Sequence, residues 1–198
     1  MDGVGDRPTD EKDAAILRAA FDVFADYGFR RASMEDIAKR AGMSRPALYL
    51  RYSGKEDIFR ALVRIHFAEA ETGVVAALNA HTSPAETLLA VYRAVDGHVA
   101  QAMLDSPHAS EMLDTKLSMA KDEIAAGEQR IVAHVADWIT QGVAAGRLSL
   151  DGLAGTAAEV AATILAAKMG LKMPGVSYAE YRAGQERLAA MFGRALVR

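Results

Sequence analysis

The sequence predicts an all-α protein of about nine helices, and three observations indicate this fold class. Helix-start signals, mostly Ser residues ahead of amphipathic segments, recur along the 198 residues, and Gly or Pro residues follow those segments as stop signals. Alternating runs of Val, Ile and Thr and Asn-Gly hairpin turns, which indicate strands, are missing. Alanine, the strongest helix former, is abundant, whereas there are only 5 prolines.

The first two predicted helices are marked by apolar periodicity and by a capping motif. The first runs from about residue 10 to residue 27, with apolar side chains at helical spacing, and Gly28 ends it. The second runs from about residue 34 to residue 41. Ser33 precedes it and starts a capping box in which Asp36 takes the place of the usual Glu.

The third predicted helix follows after one tight turn. Gly42 ends the second helix, and Ser44 caps the third, which runs to about residue 51 with Pro46 in its first turn. Ser53 caps a long fourth helix that runs to about residue 80. The spacing therefore predicts a compact three-helix domain followed by a long helix.

Five further helices complete the predicted C-terminal body. Their predicted ranges are 84–105, 106–120, 121–145, 152–171 and 177 to the C-terminus. We expect a disordered tail at 1–9, a domain of three helices at 10–54, and a larger helical body at 55–198.

Composition excludes several classes of protein. The chain has no cysteine, so disulfides, thiolate metal sites and cysteine nucleophiles are excluded, and a reducing cytoplasm is predicted. No apolar run approaches the roughly 18 residues of a membrane span, and the polar start lacks the layout of a signal peptide. The net charge is −3, but residues 29–55 hold seven Lys or Arg and two acidic residues, a local +5. Such a basic segment is a candidate nucleic-acid footprint or a solvated face.

The pair of short helices has the pattern of a helix-turn-helix. Ala38 is small enough for the next helix to cross closely, and Gly42 suits a left-handed turn. Ile37, Met43 and Leu48 fall where the pair needs a shared core. An ordinary helical hairpin is the alternative interpretation. The third helix would present the remaining side chains to the major groove; these are Arg45, Ala47, Tyr49, Leu50 and Arg51.

A set of residues between positions 16 and 56 carries a family resemblance. They are Ile16-Leu17, Ala20, Phe24, Gly28, Ser33-Met34-Glu35-Asp36-Ile37-Ala38, Ala41-Gly42-Met43-Ser44, Leu48-Tyr49, Tyr52 and Lys55-Glu56. Together they resemble the N-terminal domain of TetR-family regulators. The rest of the chain matches that family only in helical character and length.

The resemblance implies two sets of DNA contacts. Phosphate contacts are implied for Ser33, Ser44, Tyr49 and Lys55, and base contacts for Arg45, Pro46, Ala47 and Leu50. Tyr52 stands where the family usually has Phe. Arg51 stands where many members have His or another polar residue, so it could add a phosphate or guanine contact.

For the C-terminal body, the resemblance implies a homodimer on a palindromic double-stranded DNA operator and a cavity for a small, mainly apolar effector. The predicted dimer contacts, which could instead be intramolecular core, are Ala158, Ala162, Leu188, Met191, Phe192 and Ala195. The predicted effector contacts, which could instead be plain core, are Phe67, Tyr92, Met103, Met112, Leu113, Met119, Ile131 and Trp138.

No catalytic, nucleotide or cofactor motif is present, and no enzyme activity is predicted. His66, His98 and His134 lack metal-ligand spacing, so no metal is predicted. The predicted function is a TetR-type transcriptional regulator, a repressor released by its effector. The alternatives are a DNA-binding regulator controlled by a protein partner and a helical enzyme with a fortuitous hairpin.

Overall fold

The computed structural model describes residues 11–97, 100–101, 106, 108, 118–172 and 175–197. Over these residues it contains eight α-helices and no strand, which confirms the all-α prediction. None of the described helices combines the length and the apolarity needed to cross a membrane. The helices are α1 Glu11–Tyr27, α2 Met34–Arg40, α3 Arg45–Tyr49, α4 Lys55–Leu78, α5 Pro84–Asp96, α6 Lys121–Ala144, α7 Ala157–Met169 and α8 Tyr178–Ala195.

Helix α5 is shorter than predicted. It begins after Ser83, whose side chain accepts the amide of Glu86, but it ends at Asp96 rather than near residue 105. Gly97 follows with a φ of 62° and a ψ of −167°, a backbone conformation that favours glycine and stops the helix. The helix predicted over 106–120 lies mostly outside the described residues.

Helix α7 begins later than predicted because two glycines precede it in left-handed conformations. The φ angles of Gly152 and Gly155 are 80° and 108°, so neither belongs to a helix. Thr156 caps α7 instead, and its side chain and that of Glu159 form a reciprocal capping box. The sequence predicted that this helix starts near Gly152. That start was wrong, because the cap at Thr156 was not recognised.

The chain divides into two compact units. Among the described residues, the N-terminal unit comprises 11–63, 106, 108 and 118–120, and the C-terminal unit comprises the rest. The division falls inside α4, after residue 63. The first part of α4 packs in the N-terminal unit, where Phe59 lies against Phe24 and Phe29 with ring centroids 5.9 and 5.3 Å away.

In the C-terminal unit, α8 packs mainly against α5, and α7 packs mainly against α6. The α8–α5 crossing is close because a glycine lies at it. A Cβ on Gly193 would stand 2.5 Å from the backbone Cα and N of Ala85. Tyr92 of α5 is fully buried, and its hydroxyl donates to the carbonyl of Ile164 on α7 at 3.1 Å.

A buried charge cluster joins α5, α7 and α8. The Asp96 carboxylate accepts from Lys168 Nζ at 2.6 Å, from the Tyr181 hydroxyl at 2.8 Å and from Gln185 Nε2 at 2.6 Å. Lys172 Nζ lies 3.5 Å from the same carboxylate. Burial, the largest influence, raises the pKa of Asp96, but the charge and hydrogen bond of Lys168, with Lys172 and Tyr181, outweigh it and hold the net pKa below its usual value.

Candidate nucleic-acid interface

Two serine caps set the directions of α2 and α3. The Ser33 side chain accepts the amide of Asp36 at 3.2 Å, while the Asp36 carboxylate accepts the Ser33 amide at 3.0 Å and its hydroxyl at 2.5 Å. These hydrogen bonds from Ser33 lower the pKa of Asp36. The Ser44 side chain accepts the amide of Ala47 at 3.3 Å and starts α3. Both predicted caps are present.

The turn between α2 and α3 is held by a glycine and a small core. Gly42 has a φ of 67°, and a Cβ there would meet nothing within 4 Å, so its backbone conformation alone requires glycine. Ile37 and Leu48 are fully buried and Ala38 is nearly so. With this core beneath it, α3 has one face turned inward and one left exposed.

The outward face of α3 carries a cation, an aromatic ring and an apolar side chain. Leu50 is 85% exposed, Tyr49 is 43% exposed, and the Arg45 side chain is 59% exposed. The Arg45 guanidinium carbon lies 5.5 Å from the centre of the Tyr49 ring, and Nη1 lies 3.9 Å from a carboxylate oxygen of Glu35. At these distances and exposures, both contacts are weak enough to be exchanged for a ligand.

An open cleft of about 480 Å³ lies beside this face in the N-terminal unit. It brings together four of the nine predicted DNA-contacting residues, namely Ser33, Arg45, Tyr49 and Lys55. Pro46 and Ser44 are exposed and Ala47 is half-buried, and none of these three lines the cleft.

Two predicted DNA contacts have internal partners. Arg51 Nη1 lies 2.8 Å from the carboxylate of Asp13 on α1, and the side chains are only 23% and 9% exposed. Lys55 Nζ donates to the carbonyl oxygens of Phe29, Arg30 and Ala32 at 2.9, 3.1 and 2.9 Å. Their interaction with DNA stays a prediction, and it would have to replace these contacts.

Two exposed cations of the basic segment were not singled out from the sequence. Arg31 precedes α2 and Lys39 lies on it, and both are exposed. The positive charge of the segment could have drawn attention to both residues. Charge alone, however, does not distinguish them from Arg40, whose guanidinium lies 2.8 Å from the Asp26 carboxylate.

The predicted effector contacts that the structure describes fall in both units. Phe67, Tyr92 and Ile131 are buried in the C-terminal unit, and Trp138 is half-buried there. Met119 is half-buried in the N-terminal unit. The predictions for Met103, Met112 and Leu113 lie outside the described residues.

The predicted dimer contacts are partly exposed. Ala158 and Ala162 of α7 are exposed, and Met191 of α8 is 67% exposed. Leu188, Phe192 and Ala195 of α8 are half-buried.

The histidines take separate places. His134 Nε2 lies 2.9 Å from the carboxylate of Glu71, which also accepts from Arg130 Nε at 2.8 Å. These two hydrogen bonds, that of His134 first, lower the pKa of Glu71. His98 lies outside the described residues, and over the described part of the chain no three His, Cys, Asp or Glu side chains are grouped as metal ligands would be.

Comparisons with known proteins point to one family. Residues 16–62 match the family described as bacterial regulatory proteins, tetR family. The transcriptional activator FasR of Mycolicibacterium smegmatis is 38% identical over 87 residues, which are 44% of this chain but only 40% of FasR. The chain therefore matches well under two thirds of that relative's length.

Solved structures are similar over nearly the whole chain. A TetR/AcrR-family regulator of Thermobifida fusca is 21% identical, with a TM-score of 0.67 over 96% of this chain and 100% of its own. PfmR, a TetR-family regulator of Thermus thermophilus, is 18% identical, with a TM-score of 0.64 over 92% and 99%. At these identities the likeness establishes the fold. All three proteins are named as transcriptional regulators and none as an enzyme.

Proposed function

Because this chain belongs to the TetR family of bacterial regulatory proteins, we propose that it regulates transcription by placing α3 in the major groove of an operator. The observation that carries this proposal is the exposed face of α3, where Arg45, Tyr49 and Leu50 stand clear of the core. A helix presented in this way fits the major groove with its side chains at base edges.

The chemistry of the side chains indicates which of them would contact bases, which would contact phosphates and which would stabilise the domain. Arg45 has the planar fork that pairs with guanine O6 and N7, and its contacts with Glu35 and Tyr49 are exchangeable. Tyr49 and the two capping serines are suited to phosphates, while Pro46, Ala47 and Leu50 offer apolar contact to a thymine methyl group. Arg51 and Lys55 would support the domain from within, because their charges already have partners.

We propose that two copies pair through α7 and α8. The face of α7 that packs in the C-terminal unit holds Val160, Ala161 and Ile164, yet Ala158 and Ala162 on the other side are also apolar. A helix that is apolar around most of its circumference is expected to be covered on both sides. Met191 on α8 extends the exposed apolar area.

The remaining parts of the proposal rest on the family. We propose a cytoplasmic homodimer that reads a palindrome, represses nearby genes, and leaves DNA when a small effector binds its C-terminal unit. The FasR relative is named an activator, so the sign of regulation is a separate outcome. A reporter gene behind the operator measures it: deletion of the regulator should raise expression, and a fall would make it an activator.

The DNA-binding proposal is tested by gel shift on the DNA upstream of the gene, over a salt series, against random DNA of equal length. Sequence-preferential binding is expected. Arg45→Ala should reduce that preference by about 1–3 kcal/mol, whereas Lys39→Gln, which removes an exposed charge from α2, should weaken binding to both DNAs equally. Binding with no preference, or equal effects of the two substitutions on preference, would refute the assignment of Arg45.

The dimer proposal is tested by light scattering coupled to gel filtration. Met191→Glu places a charge in the proposed interface and should shift the protein toward the monomer mass. Ala125→Glu, on the exposed side of α6, is the matched control and should leave the dimer intact. A dimer that survives Met191→Glu at micromolar concentration would exclude this face.

A further inference from the structure

A second cavity, of about 360 Å³, lies at one end of the C-terminal unit. Residues from the last turn of α4, the first turn of α5 and the second half of α6 line it. Its volume is within the range of small-molecule sites. Of the five predicted effector contacts that fall among the described residues, Trp138 alone lines it.

Trp138 and several apolar side chains line the cavity. Trp138 is half-buried, so part of the indole is available to a ligand. Leu78 and Leu148 contribute apolar surface, and Leu148 is 7% exposed. Planar aromatic molecules pack favourably against such a ring.

Two lining charges have no ion-pair partner among the described residues. Arg147 and Asp137 both line the cavity, and both residues are exposed. By contrast, the nearby Glu71 is already engaged by Arg130 and His134. Arg147 can therefore bind an anionic group, while Asp137 disfavours a second one.

The position of Arg147 is fixed by the end of α6. Its amide and that of Leu148 both donate to the carbonyl of Gly142, at 2.9 and 3.1 Å. A Cβ at Gly142 would stand 2.5 Å from Leu148 Cδ1, so the absence of a side chain lets Leu148 seat there. Gly146 makes the reversal with a φ of 69°.

The cavity is also lined by a residue with a strained backbone. His81 lines the cavity and is the one described non-glycine residue with a positive φ, 52°. Side chains other than glycine rarely adopt this conformation, and strain of this kind concentrates at ligand sites. Beside it, the hydroxyls of Thr82 and Thr87 are paired at 3.0 Å.

We propose that this cavity binds a small aromatic monocarboxylate, with the ring against Trp138 and the carboxylate on the Arg147 guanidinium. An Arg–carboxylate pair supplies both charge and a planar fit. The proposal deepens the proposed function, since such a molecule would be the effector, and in that respect rests on it. The sequence predicted a mainly apolar effector, whereas this proposal makes a charged group of the ligand central to its recognition.

Binding is measured on the dimer without DNA. Trp138 is the single tryptophan of the chain, so its fluorescence on titration with 4-hydroxybenzoate reports this cavity directly, and calorimetry on the same samples gives the affinity. Saturable binding is expected, with 4-hydroxybenzamide, the neutral analogue, at least about tenfold weaker. No saturation up to about 10 mM ligand, or equal binding of both compounds, would overturn the proposal.

Two substitutions locate the site. Arg147→Gln should weaken 4-hydroxybenzoate about tenfold to a hundredfold, and circular dichroism should show an unchanged fold because the side chain is exposed. Lys121→Gln removes an exposed cation from the other end of α6 and should change nothing. Equal losses in both variants would reject Arg147 as the anion contact.

A gel shift with the same compound separates the site from its regulatory role. Release of operator DNA by 4-hydroxybenzoate in the parent protein but not in Arg147→Gln supports the whole proposal. Binding at Trp138 without any change in DNA affinity retains the site and overturns its role as the effector site. Failure of the parent protein to bind DNA at all concerns the proposed function and leaves the fluorescence result standing.

Discussion

Asp96→Asn is expected to destabilise the C-terminal unit severely, because it removes one charge from a buried cluster and leaves the other. The Lys168 side chain is 1% exposed and the Asp96 side chain 4% exposed, so water cannot replace the lost partner. Lys172, the other charge near Asp96, has the same sign as Lys168. Breaking a buried pair from one side costs about 3–5 kcal/mol. For a chain of this length that corresponds to a fall in Tm of roughly 6–20 °C.

The assay is urea unfolding at fixed protein concentration, with the midpoint and the slope measured separately. The double variant Asp96→Asn/Lys168→Met removes both charges and keeps the volume of the lysine stem. It should regain most of the lost free energy of unfolding, since neither asparagine nor methionine leaves a buried charge without a partner. Asp137→Asn, at an exposed position, is the control and should change stability by less than about 0.5 kcal/mol. A loss below about 1 kcal/mol for Asp96→Asn, or no recovery in the double variant, would refute the reasoning.

The same cluster gives a pH dependence. The folded-state pKa of Asp96 is lowered, so its contribution is fully present above the unfolded pKa of about 3.9. It is lost as the pH falls through the lower folded-state value. The difference in stability between the parent protein and Asp96→Asn should therefore be constant near neutral pH and shrink below about pH 4.

Three further outcomes follow from contacts described above. Lys55→Met should lower the stability of the N-terminal unit by about 1–3 kcal/mol, because it removes the donor to three carbonyls. The slope of log affinity for DNA against log salt concentration should stay unchanged. A decrease of about 1 in the size of that slope would show a phosphate contact instead. Gly193→Ala should cost about 1–3 kcal/mol by forcing α8 off the backbone of Ala85, and unchanged thermal unfolding would contradict so close an approach. Ser33→Ala should lower the free energy of unfolding by about 1 kcal/mol at neutral pH. The loss should be smaller in acid, where Asp36, whose folded pKa is lowered, becomes protonated. An equal loss at both pH values would contradict a capping box that depends on the ionised carboxylate.

The features predicted well from the sequence are those decided within a few residues. The Ser33–Asp36 box covers four consecutive residues, and Gly42 makes its turn by its own backbone freedom. The third helix starts at the predicted cap, Ser44. Here propensity, capping and apolar spacing agree, so no distant contact is needed to choose the structure.

The features that were missed depend on partners far along the chain. The ion pair of Arg51 with Asp13 was not predicted, because the two residues are 38 positions apart and no local pattern joins them. Asp96 and Lys168 are 72 residues apart, and burial alone makes their pairing obligatory. The start of α7 is a different case. The Thr156–Glu159 capping box is a local sequence pattern, but the neighbouring glycines were interpreted as part of the helix, at a close helix contact.

The bond between Asp13 and Arg51 has a practical consequence for anyone who shortens this protein at its start. Asp13 lies in the first turn of α1, close to residues that would ordinarily be trimmed as dispensable. Removing it would strip the counter-charge from the segment just after α3 without touching any of the surfaces proposed to meet DNA. A shortened protein that starts at residue 15 should therefore lose DNA affinity as if α3 itself had been mutated, whereas one that starts at residue 11 should keep it.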